Sequence, residues 1–215
     1  MKRPLLASAI AGMVLSLLAG CQNMTATQRN TTAGVVTGAV VGAGVAHATG
    51  GKPATGAVVG AAVGGTTAYL WSKNMERQQQ ELQAASAGTS ITVARTADNR
   101  IRVHIPADAS FQSNSAHLQP RMRRFLNRLA ESVRRNPGAE LLIVGHADSS
   151  GNARHNETLS LQRANATRSY LFSRRIAGTR IQTLGRGAYE PIASNSTAAG
   201  RARNRRVEIF VARPR

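Results

Sequence analysis

The chain has 215 residues, 28 Lys and Arg against 10 Asp and Glu, a formal net charge of +18 and one cysteine. That length holds one domain of ordinary size plus attachments, and a lone thiol excludes a disulfide framework or a cysteine-built metal cluster. A charge this basic raises nucleic acid as a partner, but aromatic residues make up 4% of the chain and no nucleic-acid motif is present, so the stacking surface such a partner needs is missing.

Residues 1–20 read as a secretory signal peptide. Met1-Lys2-Arg3 is a positive start, Leu5 to Leu18 is apolar, and Leu18-Ala19-Gly20-Cys21 is a small-residue cleavage site. The apolar run is too short to be kept as a spanning helix. Export also argues against nucleic acid and leaves anionic envelope polymer or anionic lipid as the counter-charge. Leu-Ala-Gly-Cys resembles the bacterial lipobox, which implies lipidation at Cys21 and anchoring rather than spanning. Gln22 after the cysteine resembles the pattern of lipoproteins sent to the outer membrane.

Residues 21–32 form the acylated end and a polar tether. A two-fold repeat follows, in which Gly34, Gly38 and Gly42 and then Gly56, Gly60 and Gly64 recur four apart among Ala, Val and Thr. Glycines at this spacing share one helix face and let a second backbone approach. The prediction is a glycine-zipper helical hairpin over 33–71, with arms at 33–48 and 54–71. At 1.5 Å per residue each arm reaches only ~24 to 27 Å, short of the ~30 Å hydrocarbon core. Two readings stay open: a self-packed hairpin that inserts shallowly or forms a homo-oligomer through those six glycines, and a soluble hairpin or disordered linker. Tyr69 and Trp71 suit an interface. Residues 72–88 read as a polar helical stalk exposed to solvent, with the last domain at 89–215.

In that domain Ile91 to Ala94 and Ile101 to Ile105 have strand character around an Asp98-Asn99 turn. Leu118, Met122, Phe125, Leu126, Leu129 and Val133 trace an amphipathic helix opened by Pro120 and stopped by Asn136-Pro137-Gly138. Leu141 to Gly145 reads as a buried strand, with Asp148 in the loop at its mouth. From about Asn152 the period becomes helical, and Asn156, Leu159, Ser160, Arg163, Thr167, Tyr170 and Leu171 share a face. Arg163 on that mostly apolar arc needs an anion, either Asp148 or an exposed ligand. Strands at 180–184 and 206–211 complete an α+β domain with a mixed β-sheet and helices packed on it.

Gly145-His146-Ala147-Asp148, then Asn156-x-x-Leu159-Ser160-x-x-Arg163-Ala164, then Gly185-x-Gly187 with Pro191, then Asn204-Arg205-Arg206-Val207-Glu208 resemble the OmpA-like C-terminal domain, a peptidoglycan-binding module. With lipobox and hairpin, the whole resembles the YiaD-type outer-membrane lipoproteins. The resemblance implies that Asp148 and Arg163 bind the diaminopimelate of the stem peptide. A carboxylate can accept from its free ammonium, and a guanidinium fork can hold its carboxylate. Asn156 is either a contact or a first-turn cap. Asn114, in the loop after Phe111, is implied as a further contact, while Gln112 departs from a common Asp. Thr167, where an aliphatic residue is usual, is a second departure.

His146, Asp148 and His155 match no metal-ligand spacing, and no nucleophile motif or paired catalytic carboxylates appear. The expectation is a non-enzyme without cofactor or metal, facing the periplasm, that tethers the outer membrane to the cell wall. The competing reading is a membrane oligomer or pore-like protein working through the hairpin, with the C-terminal domain as its anchor.

Overall fold

The structure is a computed structural model that describes residue 39 and residues 53–213, with side chains at residue 39 and from residue 69. The signal peptide, Cys21, the tether and the glycines at 34, 38 and 42 lie outside the described residues. The chain divides into two compact units, Met1–Glu76 and Arg77–Arg215. Gly56, Gly60 and Gly64 lie in helix α1 (Pro53–Ser86), which continues through the predicted stalk without a break. Among the described residues no helix is long and apolar enough to cross a membrane.

The stalk departs from the expected solvated helix. Gln78 and Leu82 are buried, Glu81 Oε2 accepts from Ser132 Oγ at 3.1 Å and from Arg135 Nη2 at 2.5 Å, and Gln83 Nε2 donates to Val93 O. The buried residues of 72–88, Ser72, Met75, Gln78 and Leu82, are half polar, so hydropathy gives little amphipathic signal.

The C-terminal unit then runs β1 (Thr92–Arg95), β2 (Ile101–Pro106), α2 (Pro120–Arg135), β3 (Glu140–His146), α3 (Ala153–Ser173), β4 (Ile181–Gly185), α4 (Ala198–Asn204) and β5 (Arg206–Ala212). The sheet order is β1-β2-β5-β3-β4, antiparallel except for the β3–β4 pair. The last strand therefore inserts between β2 and β3, and α3 serves as the crossover that a parallel pair requires.

The first hairpin turns at Asn99, whose positive φ of 62° suits asparagine. Ile101, Val103 and Ile105 alternate with exposed and half-buried residues on β2. Together with Val207, Ile209 and Val211 of β5 and with Phe125, Leu126, Leu129 and Val133 of α2, they are fully or nearly fully buried. Each such side chain contributes roughly 1.5–3 kcal/mol.

The predicted face of α3 is the buried one except at Tyr170, which is half-buried. Asn156, Leu159, Ser160, Arg163, Thr167 and Leu171 are all inside. Thr167 fills its aliphatic position by bonding its hydroxyl to Arg163 O at 2.9 Å within the same helix. Gly145 and Gly185 face each other across β3 and β4, where α3 crosses at Ser160. A Cβ on Gly145 would overlap the Ser160 carbonyl oxygen, and one on Gly185 would sit 2.7 Å from Leu161 Cβ. Helix α4 has no counterpart in the sequence reading. It is seven residues of Ala, Gly, Arg and Asn without apolar period, capped by Thr197 Oγ1, which accepts from Gly200 N.

Candidate functional site

Two chain turns and the start of α3 meet at the C-terminal end of β3. The register pairs His146 with Arg206, so Asp148, two residues past His146, and Arg205, just before β5, come out side by side. Arg205 Nη1 donates to Asp148 Oδ2 at 2.6 Å, while its Nε and Nη2 grip both oxygens of Asp108 at 2.9 and 2.5 Å. The Asp148 carboxyl also accepts from Ser150 N at 2.7 Å. Burial alone would raise its pKa, but the hydrogen bonds from Arg205 and Ser150 outweigh it and hold the group below the ordinary carboxylate range.

Arg163 does not take Asp148 as its partner. Its Nε donates to Ser115 O at 3.0 Å, and its guanidinium carbon lies 5.5 Å from the centre of the Phe111 ring. That is its one hydrogen bond among the described residues, and no carboxylate among them stands within ion-pair distance. Yet Arg163 is only 4% exposed. Burial lowers its pKa, and the more distant charge of Asp108 offsets this in part.

Asp108, Asp148, Arg163 and Arg205 line one cleft of about 410 Å³ together with Asn114, Asn156 and Phe111. Asp148, Arg163, Asn156 and Asn114, singled out in the sequence, are thus brought together. Asn156 is not the first-turn cap, because Asn152 Oδ1 takes that place by accepting from His155 N. Instead Asn156 Nδ2 donates to Asp148 O at 3.0 Å and Ser150 O at 2.8 Å, fixing the loop that carries Asp148. Asn114 has a positive φ of 47°, and its Oδ1 lies 3.0 Å from His155 Nε2, so the loop after Phe111 is tied to the start of α3. Asn204 is fully buried, binds Ile192 N, Ala193 N and Asn195, and Asn195 in turn accepts from Ser149 N.

Sequence reasoning missed Arg205 and Asp108. Arg205 sat inside a quoted motif, but its partner is a carboxylate 97 residues away, and no local period signals such a contact. Removing the brace tests whether it matters: if Asp148 holds a ligand, Arg205→Ala is expected to weaken that binding about tenfold, the order of one charge-assisted hydrogen bond. Titration calorimetry against parent protein reads this, and unchanged affinity would show that Asp148 needs no bracing.

Beside the cleft, His146 is 1% exposed and both ring nitrogens lack a hydrogen-bond partner. Glu190 and Glu208 approach to 4.0 Å. Burial, followed by the Arg206 charge, pushes its pKa down to about 4, whereas the unfolded chain protonates it near 6.5. The unfolded state therefore binds the extra proton as pH falls between those values, and stability is lost across that window. Glu208 extends the loss further into acid, since burial raises it but His104 and Arg206 pull it down to about 2. Urea unfolding at pH 7 and pH 4.5 should show a loss of about 2 kcal/mol from His146, and His146→Gln should lack that part. Among the described residues no group of three or more His, Cys, Asp or Glu is arranged to hold a metal ion.

Residues 110–205 match the model of the OmpA family, and residues 1–76 match that of the YMGG-like Gly-zipper. Over 135 residues the chain is 39% identical to the probable lipoprotein YiaD of Escherichia coli, covering 63% of this chain and 61% of that protein. It is 44% identical over 102 residues to the peptidoglycan-binding protein ArfA of Mycobacterium tuberculosis, covering 47% of this chain and 31% of that protein. The chain thus spans less than two thirds of either relative. Among solved structures, the cell wall anchor of the T6SS from Pseudomonas aeruginosa aligns with a TM-score of 0.56 at 34% identity, covering 63% of this chain and 97% of that one. Residues 110–205, which supply most of the cleft lining, therefore form an OmpA family domain.

Proposed function

We propose that the chain is a non-catalytic tether, acylated at Cys21 in the outer membrane and holding peptidoglycan through the diaminopimelate of its stem peptides in the cleft. The observation that carries this is Arg163: a buried guanidinium with one hydrogen bond, opening on a cleft whose nearest carboxylates already bind Arg205. Burying such a charge unpaired is costly, and a ligand carboxylate removes the cost with two parallel hydrogen bonds. Two carboxylates and two guanidiniums line the cleft, so a zwitterionic head fits it better than a bare anion. The ligand ammonium goes to Asp148, which keeps acceptor capacity beyond Arg205 and Ser150. Asn156 shapes the loop and Asn114 closes the rim. The names of ArfA and of the cell wall anchor support the same ligand class.

Self-association through Gly34, Gly38, Gly42, Gly56, Gly60 and Gly64 belongs to the same proposal, supported by the Gly-zipper match. The test is retention on isolated sacculi. Walls with diaminopimelate should retain the protein and walls with lysine, which lacks the second carboxylate, should retain it at least tenfold less, since an unpaired buried donor is left behind. Equal retention on both walls would overturn the role given to Arg163.

A further inference from the structure

We propose that the pole of the C-terminal unit where α2 and α3 end docks on a bilayer surface bearing anionic phosphate headgroups, with Phe172 as an apolar wedge. The cleft lies at the start of α3, whereas this pole lies past its last turn. There Arg134 Nη1 donates to Arg174 O at 3.0 Å, joining the two helix ends, and Arg168 Nη2 and Phe172 both lie within 4 Å of the place a Cβ on Gly178 would take. Phe172 is 63% exposed. Arg134, Arg168, Arg174 and Arg175 are exposed around it, and the side chains of Arg168 and Arg175 make no hydrogen bond or ion pair among the described residues. Nearby acids are few: Glu81 is held by Arg135, Glu131 by Arg128, and Glu140 acts on Arg180.

Cations at helix C-termini are favoured by the peptide dipoles, which accounts for Arg134 and Arg174. It does not account for Arg168, which lies more than a turn before the end of α3, or for a bare Phe among guanidiniums. An exposed aromatic ring within a basic patch has the composition of a surface that lies on a membrane, where the ring enters the headgroup layer and the charges stay with phosphate. A polysaccharide or wall peptide would satisfy the arginines but offers the ring nothing. Within the unit, Gln78 and Glu81 meet Asn136 and Ser132 at this same end of α2. A membrane contact here leaves the cleft, at the other end of α3, free for its own ligand.

The experiment uses the full acylated chain in vesicles of phosphatidylcholine alone or with roughly 30% phosphatidylglycerol, a charge density like that of anionic leaflets. Acylation occupies Cys21, the one native cysteine, so Ala177→Cys carries a single environment-sensitive fluorophore beside Phe172. On the anionic vesicles, quenching by neutral acrylamide should fall about threefold relative to the neutral ones, and ~0.5 M salt should abolish the difference. Combined Arg168→Gln, Arg174→Gln and Arg175→Gln should also abolish it, and Phe172→Ser should lose the blue shift of the probe while keeping part of the salt-sensitive protection. Equal quenching on both vesicles, or protection unchanged in the triple variant, overturns the proposal. So does protection on neutral vesicles that appears only when sacculi are added, which would give the pole to the cell wall. The readout involves no wall ligand, so it fails or succeeds separately from the cleft assignment.

Discussion

Arg163→Met should lower affinity for a diaminopimelate-containing muropeptide by about 100-fold, the order expected for losing a bidentate charged pair in a desolvated site, while leaving the thermal midpoint unchanged or raised. The two halves of that result come from one cause. In the free protein Arg163 is 4% exposed with a single hydrogen bond, to Ser115 O, and its lowered pKa reflects burial that nearby carboxylates do not fully compensate. Methionine keeps the contact with Phe111 and removes the buried charge, so the folded state gains what desolvation had cost. A group that only held loop to helix would behave oppositely, since its removal would lower stability and disturb binding only through the fold. Arg163→Lys separates charge from geometry: an ammonium keeps the attraction without the planar fork, and its affinity should fall between parent and methionine. Calorimetric titration beside thermal unfolding of the same samples reads all three variants, and a drop in stability matching the drop in affinity would return Arg163 to a structural role.

Much of this site was legible because the relevant residues lie close together in the chain. Asp148 and Arg163 belong to one strand–loop–helix stretch, so a break in apolar period and a charge on an apolar face were enough to single both out and to ask for an anion at Arg163. Which cation Asp148 itself meets was not legible. The sequence reading allowed it to neutralise Arg163, and the structure gives it to Arg205, whose place follows from β5 inserting between β2 and β3. That insertion brings residues 57 apart into contact, and strand order is not encoded in any local pattern. The same limit explains the stalk. Gln78 and Glu81 look like part of a solvated helix until the end of α2 brings Asn136 to the first and Ser132 and Arg135 to the second. Helix α4 was hidden for a different reason, since its seven residues are held by the Thr197 cap and by Asn204 reaching Ile192, Ala193 and Asn195 rather than by an apolar face.

Gly145→Ala should destabilise the C-terminal unit by at least ~3 kcal/mol, near the upper range for a single overpacking substitution. The added methyl would occupy the position of the Ser160 carbonyl oxygen, and a backbone oxygen within a helix cannot swing aside as a flexible side chain would. The whole turn of α3 must lift. Ser160 also accepts from Gly187 N at 3.0 Å through its hydroxyl, so lifting the turn breaks the tie to the loop after β4. Gly185 presses on the same turn, 2.9 Å from Ser160 Oγ, which gives the pair a distinctive coupling. Once one alanine has displaced the helix, a second at Gly185 meets less resistance, so the double variant should cost less than the two single losses added together. Gly151 is the contrast: its φ of 78° is unfavourable for alanine, but nothing lies within 4 Å of an added Cβ, so Gly151→Ala should cost only about 1 kcal/mol of backbone strain. Urea unfolding of the four variants decides between a helix held down by contact and one merely tolerant of glycine. Strict additivity at 145 and 185 would mean that the two positions do not load the same turn. Asn156 stands one turn before Ser160 and Arg163 one turn after it, on the same buried face, so a lifted α3 moves both away from Asp148. The close approach that two glycines permit is thus what sets the width of the cleft, and ligand affinity in any folded fraction of Gly145→Ala should fall along with its stability.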